Sequence, residues 1–532
     1  MQVSSNRRGL LIVCLLAAAL WAVNGLWLMR DTRPPVWDIA MHQGYALRYL
    51  TGGAVTPRGV LPPWGLSENY PPFVHLVIAF CFFVFHPGPH VAILANLPAT
   101  LLLFWAIYEL ALDLGGAATA RWACIFTALI PYLIWLSRET VLDYWLSAWV
   151  AVSLVLLRRT RGFESHSASL LLGGALALGL LTKWIFVAFL IFPLLYVCLE
   201  YKVWRQPERS IHLADSLIVA GVVSGFWYVP NVSRLIRYFG ENAQIGAREG
   251  EPAVFSFQSV IYYLRLLEGY QLFGFLFVLV CLSCFLVCRK KALNNGRFLA
   301  VAIIGGWISM TLLRTKDPRF TMPLLGLFAI FPAAWMQSWR DNWRTRTAKT
   351  LIVAALCLQA YAANFGISWL PQRVVLAKGY QGSLRWDWNL YLQDYFNILG
   401  RPRREDWKQA VILRGIAQYA AKNKEPVSLA VVPDLPHFNA ANFDLMAKLA
   451  GMRIRVDHPQ SAADGIRSFD AYNYVLMTEG EQGMPWTTSA ARALNQIIVD
   501  EHEIFRLIEL YPLPNGDYVR LYFIKREEKA AG

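Results

Sequence analysis

Asp38 is an acid at the point where the chain leaves its first long apolar run, directly after residues 34–37 (PPVW). An ionisable residue is costly at such a boundary and is usually kept there for function. A carboxylate in this place can accept a proton from a nucleophile or stabilise a developing positive charge. The alternative is a structural role as the N-cap of a helix over residues 39–50, which still leaves an oxygen accessible. His42 follows one helical turn later, and this pair alone is weak evidence of a metal site.

A dense polar set, Arg138, Glu139 and Asp143, lies between two apolar runs in the segment SRETVLDYWL. Asp143 has a structural alternative, because an acid in the first turn of a helix complements the helix dipole. So many charges beside apolar spans also suit a polar ligand or a phosphate.

Two cations stand at similar boundaries. Lys183 lies inside the apolar segment GLLTKWIF, and Arg319 directly precedes an apolar run in RTKDPRFTMP. Structural roles exist for both, since a lysine can snorkel to the lipid headgroups and Arg319 can pair locally with Asp317. A fixed arginine also suits a phosphate, to which it makes two charge-assisted bonds.

The composition places these residues in a membrane protein. The 532 residues are 56% hydrophobic and 16% charged, with a mean hydropathy of +0.37. A helix crosses a bilayer with about 20 apolar residues. We predict about eleven spans, at residues 10–29, 91–112, 119–137, 141–157, 168–183, 184–200, 212–230, 269–288, 298–314, 320–338 and 350–369. The first is interpreted as an uncleaved helix rather than a signal peptide, because many spans follow it.

The basic residues set the topology. They cluster in short segments between the apolar runs, which accounts for the net charge of +14 without a nucleic-acid partner. The later clusters all fall on the cytoplasmic side only if residues 71–86 do not cross the membrane. We therefore predict a re-entrant or interfacial helix there, within a long first outer loop, residues 30–90. The N-terminus is then cytoplasmic, the C-terminus lies outside, and acids and bases from distant loops converge on the outer face.

The eight cysteines lie in or beside apolar segments, and no disulfide framework is available after Cys357. The spacing of Cys281, Cys284 and Cys288 is that of one helix face and is typical of packing rather than of a metal site.

From about residue 370 the sequence changes to a soluble pattern that predicts a small α/β domain, residues 370–532, on the outer face. The predicted strands and helices alternate, and a hairpin is centred on Asn515-Gly516. The predicted elements are EPVSLAVVPD, MRIRVD and YNYVLMT as strands, NAANFDLMAKLAG and TTSAARALNQIIV as helices, and FRLIELYPLPNGDYVRLYFIKR as the hairpin. A glycine-rich phosphate loop and metal-ligand spacing are both missing from this sequence, so its chemistry is opaque.

An ordered set of motifs over residues 8–340 resembles the bacterial branch of the protein O-mannosyltransferase-like glycosyltransferases, family 39 of the GT-C superfamily, which includes the aminoarabinose transferases that modify lipid A. The motifs are WDIAMHQGYALRYL, NYPPFVHLVIAF, SRETVLDYWLS, GLLTKWIF, WYVPN and KDPRFTMPL. The resemblance implies a GT-C-like transmembrane catalytic domain, residues 1–369. It also implies an enzyme that uses a polyprenyl-phosphate-linked sugar at the outer membrane face.

The resemblance further implies roles for individual residues. Asp38 corresponds to a first-loop aspartate near the reacting centre and is the predicted base. Lys183, Arg319 and Arg138 are the predicted phosphate or donor-binding cations, while Asp143 and Glu139 are candidates for metal or sugar binding. Some members have two adjacent acids in the first loop, whereas Asp38 stands between Trp37 and Ile39, so a divalent metal cofactor is left open.

These observations predict an inverting glycosyltransferase of the cytoplasmic membrane that acts in cell-envelope glycan or lipopolysaccharide biosynthesis. Its partners would be a polyprenyl-phosphate sugar donor, membrane lipids and a lipid, glycan or protein acceptor. A transporter or flippase of lipid-linked sugars is the main alternative, although it should show internal repeats that we do not find. A non-catalytic cell-envelope assembly protein is the third, and it would not need Asp38.

Overall fold

A computed structural model of the chain describes most of its residues. The described residues are 2–52, 55–56, 59–60, 62–371, 373–378, 380–381, 384–385, 388–392, 394–395, 399–421, 427–459 and 461–525.

The chain divides into two compact units. The first consists of residues 1–27, 53–78 and 93–401, and the second of residues 28–52, 79–92 and 402–532. The sequence predicted one boundary, at residue 370, with the second domain entirely C-terminal to it. The second unit of the structure also includes a first-loop helix, Trp37–Leu50. That helix groups there because it packs against a helix of the C-terminal part, Ala440–Leu449.

Helices dominate the described residues up to Phe365. They are α1 (Gln2–Leu28), α2 (Trp37–Leu50), α3 (Phe73–Phe85), α4 (Pro89–Ile93), α5 (Asn96–Ala128), α6 (Pro131–Ser137), α7 (Leu142–Arg159), α8 (His166–Thr182), α9 (Val187–Tyr201), α10 (Pro207–Arg248), α11 (Phe257–Leu266), α12 (Phe273–Lys290), α13 (Gly296–Thr311), α14 (Met322–Phe328), α15 (Ile330–Gln337) and α16 (Trp343–Phe365). Short 3₁₀ turns (Pro63–Gly65, Trp184–Phe186, Val203–Arg205 and Pro318–Thr321) and a π-helical segment (Leu267–Leu272) lie between them.

The helix lengths confirm a polytopic membrane protein. Within the described residues, seven helical segments are long and apolar enough to cross a membrane, or eight if the bent pair α6 and α7 forms one span. The apolar helices α3, α8 and α13 are shorter, and the number of eleven spans stays a prediction. The 13 residues of α3 give about 20 Å of helix, against a bilayer core of about 30 Å. This length agrees with the predicted re-entrant or interfacial helix.

Two breaks redirect the chain, one before the predicted span 119–137 and one after it. Gly116 interrupts α5 with a left-handed φ of 81°, a conformation that glycine adopts without strain. It separates the two predicted spans 91–112 and 119–137. After α6, the chain turns by 116° into α7. The N-terminus of α7 is therefore buried inside the protein.

The strands and the remaining helices complete the described elements. They are β1 (Val55–Thr56), β2 (Gly59–Val60), β3 (Arg373–Ala377), β4 (Tyr380–Gln381), β5 (Leu384–Arg385), β6 (Trp388–Leu392), β7 (Asp394–Tyr395), β8 (Leu399–Gly400), α17 (Gln409–Ala421), β9 (Val427–Val431), α18 (Ala440–Leu449), β10 (Ile454–Asp457), β11 (Tyr474–Thr478), α19 (Pro485–Asp500), β12 (Phe505–Pro512) and β13 (Tyr518–Ile524), with a 3₁₀ turn at Gly465–Phe469. The strands up to β8 form antiparallel pairs: β1 with β2, β3 with β6, β4 with β5, and β7 with β8.

The C-terminal part of the second unit contains a five-stranded sheet in the order β10-β9-β11-β13-β12. β9 is parallel to both of its neighbours, β10 and β11. β13 is antiparallel to both of its neighbours, β11 and β12. Leu429 and Val431 pack into a core with α17 and α18, while Ala430 and Val432 pack into a second core with α19. A strand buried on both faces is typical of an α/β layer arrangement. The predicted strands, helices and Asn515-Gly516 hairpin of this domain are confirmed.

The packing of α8 against α10 in the first unit can be tested at Gly173 of α8. A Cβ there would lie 2.6 Å from the backbone oxygen of Ser216 and 3.0 Å from the Cβ of Val219, both in α10. Gly173→Ala should force the helices apart and lower the stability by roughly 1–3 kcal/mol, measured as the thermal unfolding midpoint in detergent. The matched control is the adjacent Gly174→Ala, where nothing lies within 4 Å. It should leave the midpoint unchanged or raise it, and equal losses in both variants would contradict this packing.

Candidate functional site

A buried ion pair joins two of the predicted outer loops in the first unit. The Nζ of Lys183 donates to both carboxylate oxygens of Asp143, at 2.8 and 2.9 Å. The two side chains are only 8% and 2% exposed. Sequence analysis predicted separate ligand roles for these residues, and the structure pairs them. Such a pair is costly to bury, and removing one partner strands the other charge away from water.

Local backbone geometry explains how the pair forms. Asp143 is in the first turn of α7, just after the 116° bend, where the helix dipole favours a negative charge. Lys183 follows the last residue of α8 with an extended backbone (φ −158°, ψ 136°) before the turn Trp184–Phe186. The lysine therefore stands at a junction between two helices, and its side chain reaches across to α7.

The fifth predicted outer loop meets the same ion pair. The Lys183 Nζ lies 5.0 Å from the centroid of the Phe320 ring, a cation–π arrangement. The side chain of Gln271 holds this loop, because its Nε2 donates to the Pro318 carbonyl at 2.6 Å and to the Thr321 hydroxyl at 3.0 Å. The structure thus brings together segments around residues 143, 183 and 320.

Arg319, next to Phe320, is fixed by Asp317. Its Nε lies 3.0 and 3.1 Å from the two carboxylate oxygens, and its Nη2 lies 2.7 Å from Oδ2. This is the local pairing that sequence analysis gave as an alternative. The side chain keeps 25% of its surface exposed, so an anion can still approach the fixed guanidinium. The phosphate role predicted for Arg319 stays a prediction.

Arg138 is more deeply buried than either of these cations, with 1% exposure. Its Nη1 donates to the Asn364 side chain at 2.6 Å and its Nη2 to the Gly400 carbonyl at 3.3 Å. The guanidinium also lies 4.1 Å from the centroid of the Trp27 indole. These contacts join α1, α16 and the bend before α7, which is a structural use of the arginine. Its predicted phosphate role stays a prediction without support from these contacts.

Glu139 and a neighbouring motif show how the loops are held. The carbonyl of Glu139 accepts a 2.7 Å bond from the side chain of Asn96, while its predicted metal or sugar role is untested. In the motif WYVPN, the Asn231 side chain donates to the Trp64 carbonyl of the first loop at 3.0 Å. Tyr70 and Tyr238 pair through their hydroxyls at 3.1 Å.

Asp38 belongs to the second unit and is half-buried. Helix α2 begins at Trp37, so Val36 occupies the N-cap position and Asp38 is the second helical residue. The N-cap alternative is therefore wrong, and the acid instead lies in the first turn, where the helix dipole favours it. His42 is buried in the same helix, with its ring centroid 6.3 Å from that of Tyr45.

The sequence did not indicate a second contact between charged residues, that of half-buried Glu251 with buried Lys316. The Glu251 carboxylate accepts the backbone N–H of Lys316 at 2.7 Å. The Lys316 ammonium donates to the carbonyls of Thr311 and Leu313, both at 2.6 Å. Burial raises the pKa of Glu251 to about 8 and lowers the pKa of Lys316 to about 8. The two residues are far apart in sequence, and neither spacing nor composition indicated that they meet.

No group of three or more histidine, cysteine, aspartate or glutamate side chains suited to a metal occurs in the described part of the chain. The two oxygens of Asp143 are already bonded to Lys183, which leaves this acid poorly suited as a metal ligand. A divalent metal cofactor remains only a prediction.

Comparisons with known proteins identify the fold. Residues 69–233, which include Asp143 and Lys183, match the family model described as dolichyl-phosphate-mannose-protein mannosyltransferase. Among curated protein sequences, no significant match is found. The chain is similar to ArnT from Cupriavidus metallidurans in a crystal structure bound to undecaprenyl phosphate, with 16% identity, coverage of 96% of this chain and 97% of that chain, and a TM-score of 0.57.

Two further solved structures share the fold. The oligosaccharyltransferase of Archaeoglobus fulgidus, tethered with an acceptor peptide containing the NVT sequon, matches with 12% identity, 98% and 74% coverage of the two chains, and a TM-score of 0.53. The arabinofuranosyltransferase AftD from Mycobacteria matches with 14% identity, 97% and 40% coverage, and a TM-score of 0.50. At these identities the likeness is one of fold, and it confirms the predicted GT-C-like fold.

The buried ion pair predicts a characteristic mutational pattern. Asp143→Asn or Lys183→Met alone should lower the stability by about 3–5 kcal/mol, because each leaves a buried charge without its partner. The double variant Asp143→Asn/Lys183→Met should recover most of that loss in denaturant unfolding. The matched control is Asp341→Asn, which breaks a pair with Arg346 whose side chains are 70% and 72% exposed, and it should have no measurable effect. Additive losses in the double variant would contradict the pairing.

The raised pKa of Glu251 predicts a pH-dependent effect on stability. Between pH 4.5 and about 8 the folded protein holds a proton that the unfolded chain has lost, so burial of this acid lowers stability as the pH rises. Glu251→Gln keeps an oxygen for the Lys316 N–H. It should therefore stabilise by roughly 1–2 kcal/mol near pH 8, allowing for partial exposure, and by less near pH 4.5. The control Glu241→Gln, at an exposed position of α10, should change the thermal midpoint equally at both pH values. If Glu251→Gln changed the thermal midpoint equally at both pH values, the raised pKa of Glu251 would be contradicted.

Proposed function

We propose that this chain is a membrane glycosyltransferase that moves a sugar from a polyprenyl-phosphate-linked donor to a lipid, glycan or protein acceptor. The single observation that carries the proposal is the shared fold over 96% of the chain with ArnT, whose crystal structure is bound to undecaprenyl phosphate. The family-model match at residues 69–233 supports the same class independently from sequence.

The proposed reaction is an inverting displacement at the anomeric carbon. The acceptor oxygen or nitrogen forms a bond to that carbon as the carbon–oxygen bond to the lipid phosphate breaks, and the phosphate leaves with the bonding electrons. A carboxylate must take the proton of the nucleophile. Asp38 is assigned this role because the family resemblance places a first-loop aspartate near the reacting centre. Its position in the first turn of α2, half-buried, is compatible with a base that remains accessible.

The leaving phosphate needs positive charge, which we assign to Arg319 and Lys183. Arg319 is already oriented by Asp317 and is a quarter exposed, so it is the more accessible of the two. Lys183 has three N–H donors, and Asp143 takes two of them. Arg138 is not included in this group, because Asn364, Gly400 and Trp27 surround its guanidinium.

The proposed location is the outer face of the cytoplasmic membrane, with a cytoplasmic N-terminus. The support is the distribution of lysine and arginine along the sequence, which favours cytoplasmic loops for the basic clusters. A polyprenyl tail stays in the bilayer, so the groups that contact its phosphate must lie at a membrane interface. Residues at the ends of spans, such as Lys183 and Arg319, satisfy this requirement.

Transfer in proteoliposomes tests the proposal. The full chain, supplied with a radiolabelled polyprenyl-phosphate sugar and an acceptor lipid extract, should produce labelled acceptor. Asp38→Asn should reduce turnover by about 100-fold or more, because it removes the base, while leaving donor binding intact. The matched control Asp464→Asn changes an exposed acid of the same unit and should transfer like the wild type.

Other outcomes would overturn the assignments. Turnover of Asp38→Asn near the wild-type rate would contradict the role of Asp38 as the base. Donor that crosses the bilayer without transfer of its label would identify a flippase, and inactivity with every donor and acceptor would favour an assembly protein.

A further inference from the structure

The segment directly before Asp38 is bonded, through two backbone carbonyls and one indole, to three residues of the C-terminal part of the second unit. The His437 Nδ1 contacts the Pro34 carbonyl at 2.8 Å, and the Asn442 side-chain amide donates to the Pro35 carbonyl. The Trp37 indole N–H donates to an Asp434 carboxylate oxygen at 2.9 Å. All three partners come from residues 434–442, which follow β9 and extend into the first turn of α18, and we call this segment the clamp.

The donors of the clamp are buried and held in one orientation. Asn442 and His437 are 0% and 4% exposed. The Asn442 Oδ1 accepts the backbone N–H of Asn439 at 3.0 Å, so its NH₂ group must face Pro35. A proline carbonyl only accepts, so His437 must carry its proton on Nδ1. The side chain of Gln409 also binds the His437 carbonyl, at 2.5 Å.

The clamped segment itself is stiff and is tied at its other end. Two successive prolines fix the backbone φ and leave only their carbonyls as hydrogen-bonding groups. Upstream, the Thr32 N–H donates to the Arg403 carbonyl at 3.0 Å, and the Arg403 N–H donates to the Asp31 carboxylate at 2.8 Å. Residues 31–37 are therefore fastened at both ends to the C-terminal part.

Asp434 also lies within electrostatic reach of Asp38. Burial raises the pKa of Asp434 to about 6; nearby His458 and the bond from Trp37 act in the opposite direction, and the charge of Asp38 raises it further. The segment that holds the chain before Asp38 therefore also senses the charge of Asp38.

We propose that the clamp residues Asp434, His437 and Asn442 are positioning residues that fix the place of the Asp38 carboxylate for sugar transfer. This inference rests on the proposed function, and it gives the α/β domain a direct part in turnover. Bonds to three of the four residues 34–37, directly before the base, are more than a covering domain requires. A displacement of about 1 Å at a reacting group can reduce turnover by about 100-fold.

The test uses a nearly isosteric change in the full chain. Asn442→Asp removes the donor to Pro35 and keeps the oxygen that accepts from Asn439. It should lower kcat for sugar transfer by about 10- to 100-fold and leave KM for the donor within about two-fold, because the clamp acts on the base. His437→Leu should behave alike, while His437→Asn retains a donor at the position of Nδ1 and should restore most of the turnover.

Asn473→Ala is the matched control for lost stability of the domain. It removes the two bonds that the Asn473 side-chain oxygen accepts from Ser428, at the opposite end of β9 and away from residues 34–37. It should lower the thermal midpoint while kcat stays near the wild-type value. Wild-type kcat in a folded Asn442→Asp variant, or equal losses of kcat in Asn442→Asp and Asn473→Ala, would overturn the positioning role.

Hydrogen exchange separates this inference from the proposed function. The amides of Ile39 and Ala40, which bond to the Val36 carbonyl in the first turn of α2, should exchange about 10-fold faster in Asn442→Asp. Amides of β11 should be unchanged. An inactive wild-type chain would contradict the proposed function, whereas unchanged exchange at Ile39 and Ala40 would contradict the clamp whatever the activity.

Discussion

The buried ion pair between Lys183 and Asp143 is the constraint on which the arrangement of the first unit depends. A lysine between two apolar helices needs a counter-charge, because an isolated ammonium is too costly away from water. Asp143 supplies it from the first turn of α7, which requires the 116° bend after α6 and the extended backbone at the end of α8. Phe320 then packs beside the ammonium and brings Arg319 to the same neighbourhood. The segments around residues 143, 183 and 320 therefore meet because the buried ammonium of Lys183 needs a counter-charge.

The three cations that are held by protein groups differ in how accessible they are to an anion. Arg138 is 1% exposed and surrounded by protein acceptors, Lys183 is 8% exposed in its side chain, and Arg319 retains 25%. Each is held by groups of its own chain, so a phosphate would meet donors that are already oriented, which is the condition for electrostatic stabilisation of a leaving group. In the second unit the base proposed for the same reaction is fixed by another device, bonds to the carbonyls and indole of the preceding segment. In both units, hydrogen bonds hold the side chains to which the proposed function assigns roles.

Local patterns in the sequence were sufficient for much of the fold. The alternation of strands, the amphipathic helices and the turn at Asn515-Gly516 predicted the elements of the α/β domain, and apolar runs predicted a polytopic helical protein. The pairing of Lys183 with Asp143, and of Glu251 with Lys316, could not be predicted, because each joins residues 40 or more positions apart and depends on helix packing. The grouping of α2 with α18 is non-local for the same reason. At Asp38 the error was local and small: the helix begins one residue before the acid, which moves it from the cap into the first turn.

The central claim is that Arg319 and Lys183 receive the phosphate of a polyprenyl-linked donor, and a cryo-EM structure of the full chain with a polyprenyl phosphate tests it most directly. Phosphate oxygens are expected within about 3 Å of the Arg319 guanidinium or the Lys183 ammonium, with the Lys183–Asp143 pair intact. A phosphate bound away from both cations would contradict the account.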